Sequence, residues 1–298
     1  MKIAFFDMED DCEKYIDKLR KNHDVSYYNE KINLNNLDTN IEILSFRSIS
    51  KINKNIIDKL PKLKLLLTRT VGIDHIDTKY AKKKGIKVIN IPDYGAHNIA
   101  EYLFALLLAG IKNIIKAREK TKSGDFSFKG LKGISLKGKT LGVIGTGNIG
   151  YEVITRAKVF GMNIIAYDII KKPDIKYVEL NELLSKSDII TLHIPLLKET
   201  KYIINEKSIS LMKDNAILIN TARGQLIDTK ALIKALKKNK FLFVGLDVLE
   251  DEENFSKNNE LLKFDNVLIT PHIAFYTDEA MENVYKETIK AIENFIKQ

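Results

Sequence analysis

Six residues near the middle of the chain, Gly145-Thr146-Gly147-Asn148-Ile149-Gly150, put three glycines at the spacing of a turn that holds a phosphate. In such a turn the first glycine permits a tight bend and the second lets an anion approach the backbone. The third lets the following helix pack closely on the strand. The surroundings fit. An apolar run over 140–144 leads in, a helical segment over 148–160 leads out, and an apolar run over 163–167 ends in Asp168, eighteen residues past Gly150. The N–H groups at the helix start would hold a pyrophosphate. Asp168 would accept from both hydroxyls of an adenosine ribose and repel a 2′-phosphate, so NAD is expected in preference to NADP, with Lys171 and Lys172 following closely. The bland alternative is a capped glycine turn in a domain that binds no phosphate.

A second group of chemistry-bearing residues follows apolar runs further along. His193 stands in Leu192-His193-Ile194-Pro195 and His272 in Thr270-Pro271-His272-Ile273, two of only five histidines. Thr221-Ala222-Arg223-Gly224 and the acidic stretch Asp247 to Glu252 also follow such runs. An open α/β sheet takes its ligands at the carboxyl ends of its strands. His193, Pro195, Thr221 and Ala222 are therefore candidates to line the cofactor. Hydride chemistry on a 2-oxo acid needs a fixed cation for the carboxylate, which a guanidinium provides bidentately. It also needs a proton donor for the carbonyl oxygen, a task suited to His, with a carboxylate behind the ring to orient it and favour the imidazolium. Arg223, His272 and Glu252 meet these needs. Taken singly, each has a duller reading as a surface ion pair, a strand-end cap and one acid among several.

The elements that must position these groups alternate short apolar runs with amphipathic segments, the pattern of βαβ units and a parallel sheet. Strands are expected over 2–7, 41–46, 63–68 and 86–90, with helices over 10–21 and 77–84. A helix over 98–120 would act as a strut between domains, and the glycine-bearing stretch 121–138 reads as a loop. A second block has apolar runs over 140–144, 163–167, 188–193, 216–220, 241–246 and 267–270, a helix over 229–238, and a closing amphipathic helix over 277–297. The expected fold is α/β, with two doubly wound parallel-sheet domains of Rossmann or flavodoxin type and a cleft between them. The last helix is free to return to the first domain.

Composition sets limits. At 298 residues, with 45% hydrophobic content, the chain suits two domains with sizeable cores. One cysteine, Cys12, can form no internal disulfide and no cysteine-based zinc site, so a reducing compartment and no metal are expected. The start of the chain lacks the basic-then-apolar pattern of a signal peptide, and the most apolar stretch, 102–111, is short of the roughly 20 residues a membrane span needs. A soluble cytoplasmic protein that binds neither membrane nor nucleic acid is expected. The net charge of +9 is concentrated between Lys112 and Lys139, where nine basic residues face two acidic ones. That segment lacks the interleaved aromatics of a single-strand platform and is read as a solvated face in preference to an anion-steering rim.

Several motifs in order then resemble the D-isomer-specific 2-hydroxyacid dehydrogenase family over nearly the whole chain. They are Thr68-Arg-Thr-Val-Gly-Ile-Asp-His-Ile-Asp77, Asn90-Ile-Pro-Asp-Tyr94, Ile99-Ala-Glu101, Leu141-Gly-Val-Ile-Gly-Thr-Gly-Asn-Ile-Gly150, Ile219-Asn-Thr-Ala-Arg-Gly224, Leu246-Asp-Val-Leu-Glu250 and Thr270-Pro-His-Ile-Ala-Phe-Tyr276. The resemblance implies that Arg223 binds the substrate carboxylate and carbonyl, that His272 is the acid/base and that Glu252 is its partner. Asp247 would sit near the nicotinamide, Val71 and Gly72 would offer N–H groups to the carboxylate, and Tyr94 would line the pocket. It also implies a substrate domain from 1–97 plus 274–298, an NAD domain from 98–273, and a homodimer built through the NAD domain. The tail Ala274-Phe275-Tyr276 looks like the D-lactate dehydrogenase branch with its 2-hydroxyisocaproate relatives, with Phe275 in the pocket. Glyoxylate, hydroxypyruvate and phosphoglycerate members are the alternatives within the family. The absence of sequence beyond the final helix weakens the phosphoglycerate reading, and Glu252 argues against formate dehydrogenases, which pair their His with Gln. Outside the enzymes, a dinucleotide-sensing corepressor is the rival. Substrate size stays open, with Phe275, Tyr94 and Arg47 as the residues that would shape the pocket.

Overall fold

The computed structural model describes residues 1–9 and 12–298, and the chain divides into two compact units, Met1–Gly95 with Tyr276–Gln298, and Ala96–Phe275.

The first unit opens with strand β1 (Lys2–Phe5). The helix expected over 10–21 starts on Asp10 and Asp11, which lie outside the described residues. From Cys12 onward there is only a 3-10 turn, Glu13–Tyr15, and a single helical turn, α1 (Asp17–Arg20). Next come β2 (Asp24–Tyr27), β3 (Ile43–Phe46), α2 (Lys54–Lys59), β4 (Leu65–Thr68), α3 (Thr78–Lys83) and β5 (Lys87–Asn90). The sheet is wholly parallel in the order β2-β1-β3-β4-β5. Strands β3 and β4 are buried along their length, which is why they read as largely apolar runs. The edge strand β2 is half exposed and polar, and so left no such run. Asp77 caps α3 by accepting from the Tyr80 N–H at 2.9 Å.

The second unit starts with α4 (Ala96–Ile111) and α5 (Ile114–Lys122). The single strut expected over 98–120 is therefore two helices, bent by 57° at the break. Asn113 makes the break: it adopts a left-handed φ of +54°, which asparagine tolerates, and its amide donates to the Leu131 and Lys132 carbonyls. The unit continues with β6 (Thr140–Ile144), α6 (Asn148–Val159), β7 (Asn163–Tyr167), α7 (Leu180–Lys186), β8 (Ile189–Leu192) and α8 (Glu206–Leu211). It closes with β9 (Ala216–Asn220), α9 (Thr229–Leu236), β10 (Phe241–Leu246) and β11 (Val267–Ile269). Its six strands are parallel in the order β11-β10-β9-β8-β6-β7, with apolar cores on both faces of the sheet. Among the described residues no single helix is long and apolar enough to cross a membrane.

The last helix, α10 (Asp278–Ile296), is capped by Thr277 and returns to the first unit. There Tyr285 is buried and stacks on Tyr15 at 5.4 Å. The second unit keeps Ala274 and Phe275, which the sequence assigned to the first. Ala274 donates its N–H to Asp247 at 2.9 Å, and the Phe275 ring meets the edge of His272.

Candidate active site

Because every strand of the second unit runs the same way, all six carboxyl ends lie on one edge of its sheet. Read across that edge, β11 leads to His272, β10 to Asp247 and Glu252, β9 to Thr221, Ala222 and Arg223, and β8 to His193 and Pro195. Beyond them β6 leads to the glycine turn and β7 to Asp168. Four strand spacings, roughly 19 Å, separate the glycine turn from His272.

The turn itself is shaped by close approach. Gly145 has φ +96°, and a Cβ there would come within 2.6 Å of the His193 backbone, so both conformation and space require glycine. A Cβ on Gly150 would lie 2.0 Å from the Gly145 carbonyl oxygen. Gly147 is different: a Cβ there would meet nothing within 4 Å. No protein atom requires glycine at 147, and the open space above it at the start of α6 suits a pyrophosphate approaching the N–H groups of Asn148, Ile149 and their neighbours. The fit to a dinucleotide is good on this ground.

Asp168 accepts from both the N–H and the hydroxyl of Thr146 and from the Ile170 N–H at 3.0 Å. Burial alone would raise its pKa, but these donations outweigh it and hold the carboxyl below its usual range. Tyr177 supports Thr146 from behind at 2.9 Å. The two lysines after Asp168 lie over aromatic faces, Lys171 on Tyr177 and Lys172 on Tyr151. His193 has Nε2 3.0 Å from the Thr191 hydroxyl, and burial of the ring pushes its pKa down to about 3, so it is a neutral imidazole. The Thr221 hydroxyl is buried with no hydrogen-bond partner among the described residues, an orphan polar atom just past the end of β9.

The structure brings His272 and Glu252 together. His272 Nδ1 lies 3.0 Å from Glu252 Oε2, and the other Glu252 oxygen accepts from the Leu249 N–H at 3.0 Å. Burial works to raise the Glu252 pKa, but the His272 ring, the Leu249 N–H and the charge of Arg223 together hold it below the ordinary carboxylate value. His272 itself sits at φ +56°, a left-handed conformation unusual for a residue with a Cβ. The fold fixes it there through Asp247, whose carbonyl accepts from the His272 N–H at 2.8 Å. The Asp247 carboxylate accepts from the Thr270 hydroxyl at 2.6 Å and from the Ile273 and Ala274 N–H groups. Asp247 thus shapes the His272 loop. Burial raises its pKa, with those three bonds opposing.

Arg223 rests on supports that residue types alone did not reveal. Asn220 donates to the Arg223 carbonyl at 2.8 Å and accepts from the Ala222 N–H at 3.0 Å. A Cβ on Gly224 would fall 1.9 Å from the Leu249 carbonyl carbon, so the arginine loop presses directly on the segment that carries Glu252. The sequence signal was present in the Asn-Thr-Ala-Arg-Gly run, but the partner of that glycine is twenty-five residues away and only the fold names it.

On the first unit's sheet, Val71 and Gly72 follow β4. Their carbonyls are tied to Asn90 at 2.7 Å and to the Thr70 hydroxyl at 2.6 Å. Tyr94 is buried beyond β5, with its hydroxyl 3.4 Å from Arg47 Nη2.

Comparison with known proteins decides the family. Residues 104–274 match the NAD-binding domain of the D-isomer specific 2-hydroxyacid dehydrogenases, more than half of the chain. The chain belongs to this family. It is 44% identical over 261 residues to a D-3-phosphoglycerate dehydrogenase of Methanocaldococcus jannaschii, covering 84% of this chain and 49% of that one, so it spans about half of that relative. It is 43% identical over 272 residues to a hydroxypyruvate reductase of Thermotoga maritima, covering 90% and 89%. Among solved structures, a D-lactate dehydrogenase of Aquifex aeolicus, complexed with NAD and lactic acid, superposes with a TM-score of 0.92 at 39% identity, over 99% of this chain and 95% of that one. Family membership makes the chain an NAD-linked oxidoreductase of D-2-hydroxy acids, and its second unit an NAD-binding domain.

Proposed function

We propose that the chain interconverts a small 2-oxo acid and its D-2-hydroxy acid, of the D-lactate or D-2-hydroxyisocaproate type. The observation that carries this reading is the His272–Glu252 pair, bonded at 3.0 Å, with Arg223 close enough to bias the same carboxylate. Gly145 to Gly150 and Asp168 hold the dinucleotide, with His193, Pro195, Thr221, Ala222 and Asp247 along its path. Bound there, the nicotinamide supplies hydride to C2 in reduction and accepts it in oxidation. Arg223 pairs with the substrate carboxylate and polarises the carbonyl. His272 delivers a proton to that oxygen in reduction and removes it in oxidation, while Glu252 orients the ring and stabilises its charged form. Phe275, whose ring meets the edge of His272, adds a substrate contact on the same unit.

The test is NADH oxidation with pyruvate, 2-oxoisocaproate, glyoxylate, hydroxypyruvate and 3-phosphohydroxypyruvate. Turnover is expected with at least one, and should be nearly abolished in His272→Ala while NADH still binds. Arg223→Gln should raise KM and lower kcat together, because the guanidinium acts on bound substrate and on developing charge alike. Binding of NADH without turnover of any of these acids would overturn the reading.

We also read the protein as a cytoplasmic homodimer formed through the NAD-binding unit. What supports the dimer is a run of exposed apolar side chains on α5 and the loop after it: Ile114, Ile115, Phe126 and Phe128, the last two 95% and 90% exposed.

A further inference from the structure

The proposed reaction uses neither of two charged clusters. In the first unit, Glu9 stands between Arg47 at 2.6 Å and Arg69 at 3.9 Å and accepts from the Tyr285 hydroxyl, which ties strand ends to α10. In the second unit, Glu250 precedes Glu252 by two residues, and its carboxylate is taken up by other segments. One oxygen accepts from the Tyr202 hydroxyl, and the other from the Thr229 hydroxyl at 2.8 Å. The Glu250 carbonyl accepts from the Gln225 side chain at 3.1 Å.

These partners bracket the loop that carries Arg223. Gln225 belongs to the 3-10 turn directly after it, Gly224–Leu226. Tyr202, in the connection after β8, donates its backbone N–H to the Gln225 carbonyl at 2.9 Å, and Ile204 donates to the Leu226 carbonyl at 3.0 Å. Thr229 opens α9, just past the loop. With Gly224 pressed against Leu249, the segment that leads to Glu252 grips the arginine loop at both ends.

Tyr202 carries a second signal. It adopts φ +56°, a left-handed conformation that glycine takes up freely and a residue with a Cβ does not. What glycine could not supply there is the hydroxyl. The bond to Glu250 raises the pKa of the phenol above its usual value, so Tyr202 stays a donor. The strained backbone and the contact it permits therefore occur together.

We propose that Glu250 is a positioning residue for Arg223. By holding the Tyr202 and Thr229 hydroxyls, its carboxylate fixes the arginine loop against the segment that carries Glu252. It thereby sets the spacing between the cation that binds the substrate carboxylate and the pair that moves the proton. The inference rests on the dehydrogenase reading above and adds to it the device that holds its two halves in place. A displacement of about 1 Å in such a spacing is worth about 100-fold in rate.

Glu250→Gln keeps the shape but can accept at only one oxygen. With the acid of the panel above that the wild type reduces best, KM should rise and kcat should fall, each by about three- to tenfold. The NADH dissociation constant should stay within about twofold, because the glycine turn and Asp168 lie beyond the strands that Glu250 braces. A merely structural loss would lower kcat through the fraction of folded enzyme and leave KM unchanged. Because the effect passes through Arg223, adding Glu250→Gln to Arg223→Gln should lower kcat/KM by less than about twofold further. Tyr202→Phe, which removes one hydroxyl and keeps the ring, should raise KM in smaller measure and carries the same test where the glutamine variant fails to fold. Equal losses from Glu250→Gln with and without Arg223, or a fall in kcat with KM unchanged, overturn the role of Glu250 and leave the dehydrogenase reading standing. A wild type that turns over no acid of the panel overturns both.

Discussion

In the proposed reaction the chemistry turns on His272 and Glu252, and the fold holds the Glu252 carboxyl below its usual range. The Glu252 pKa is lowered in the folded protein, so its stabilising contribution is present above the ordinary carboxylate value near 4.5 and is lost as pH falls through the lower folded value. Glu252→Gln keeps the shape but removes the carboxylate charge behind the ring. We expect kcat to fall about 10- to 100-fold, as read from steady-state rates. An unchanged kcat would show that Glu252 does not serve His272. Asp168 governs the other end of the sheet edge: Asp168→Ser should weaken NADH about tenfold and admit NADPH, measured by titration calorimetry. At this scale the candidate residues were legible, because Arg223, Glu252 and His272 each lie in a run whose residue types serve one chemistry, and the structure brings His272 and Glu252 to 3.0 Å. Asn220, Thr146 and Tyr177 were not legible as supports, since their partners are set by neighbouring strands and loops.

The glycine turn separates two reasons for having glycine within a single element. Gly147→Ala should leave the melting temperature nearly unchanged and weaken NADH by an order of magnitude or more, because the added methyl enters only the space meant for phosphate. Gly145→Ala must place a Cβ against the His193 backbone at φ +96°, so it should lower the melting temperature as well, by an amount equivalent to about 2–3 kcal/mol. Equal thermal losses in the two variants would remove the argument for open space above Gly147. The buried strands were legible from their apolar runs. The edge strand β2 and the break between α4 and α5 were not, since a half-exposed polar strand leaves no run and a single asparagine in a left-handed conformation leaves the helical periodicity intact on both sides.

For the whole molecule, the division into two units was readable from the recurrence of the βαβ pattern, and its exact points were not. They depend on Ala274 being tied to Asp247 and on α4 starting at Ala96. The proposed dimer rests on the exposed apolar side chains of the NAD-binding unit. Replacing both Phe126 and Phe128 by Ser should convert a dimer to a monomer in sedimentation equilibrium without loss of NADH binding. A wild-type chain that sediments as a monomer would dismiss this interface. The basic residues around the same loop fit a rim that stays solvated beside an apolar centre.

The return of α10 to the first unit also sets a timetable. Domains usually fold in the order in which the ribosome makes them. Here the first 95 residues lack the helix that brings Tyr285 to Glu9 and covers the apolar surface beside it, and about 180 residues of the second unit must be made first. At about 5–20 residues per second, that is a delay of about 10 to 40 s. The unit made second is therefore complete first. The cluster of Glu9, Arg47 and Arg69 waits for its cover through nearly the whole of synthesis, which makes the nascent amino-terminal unit the part of this protein most exposed to chaperones and proteases.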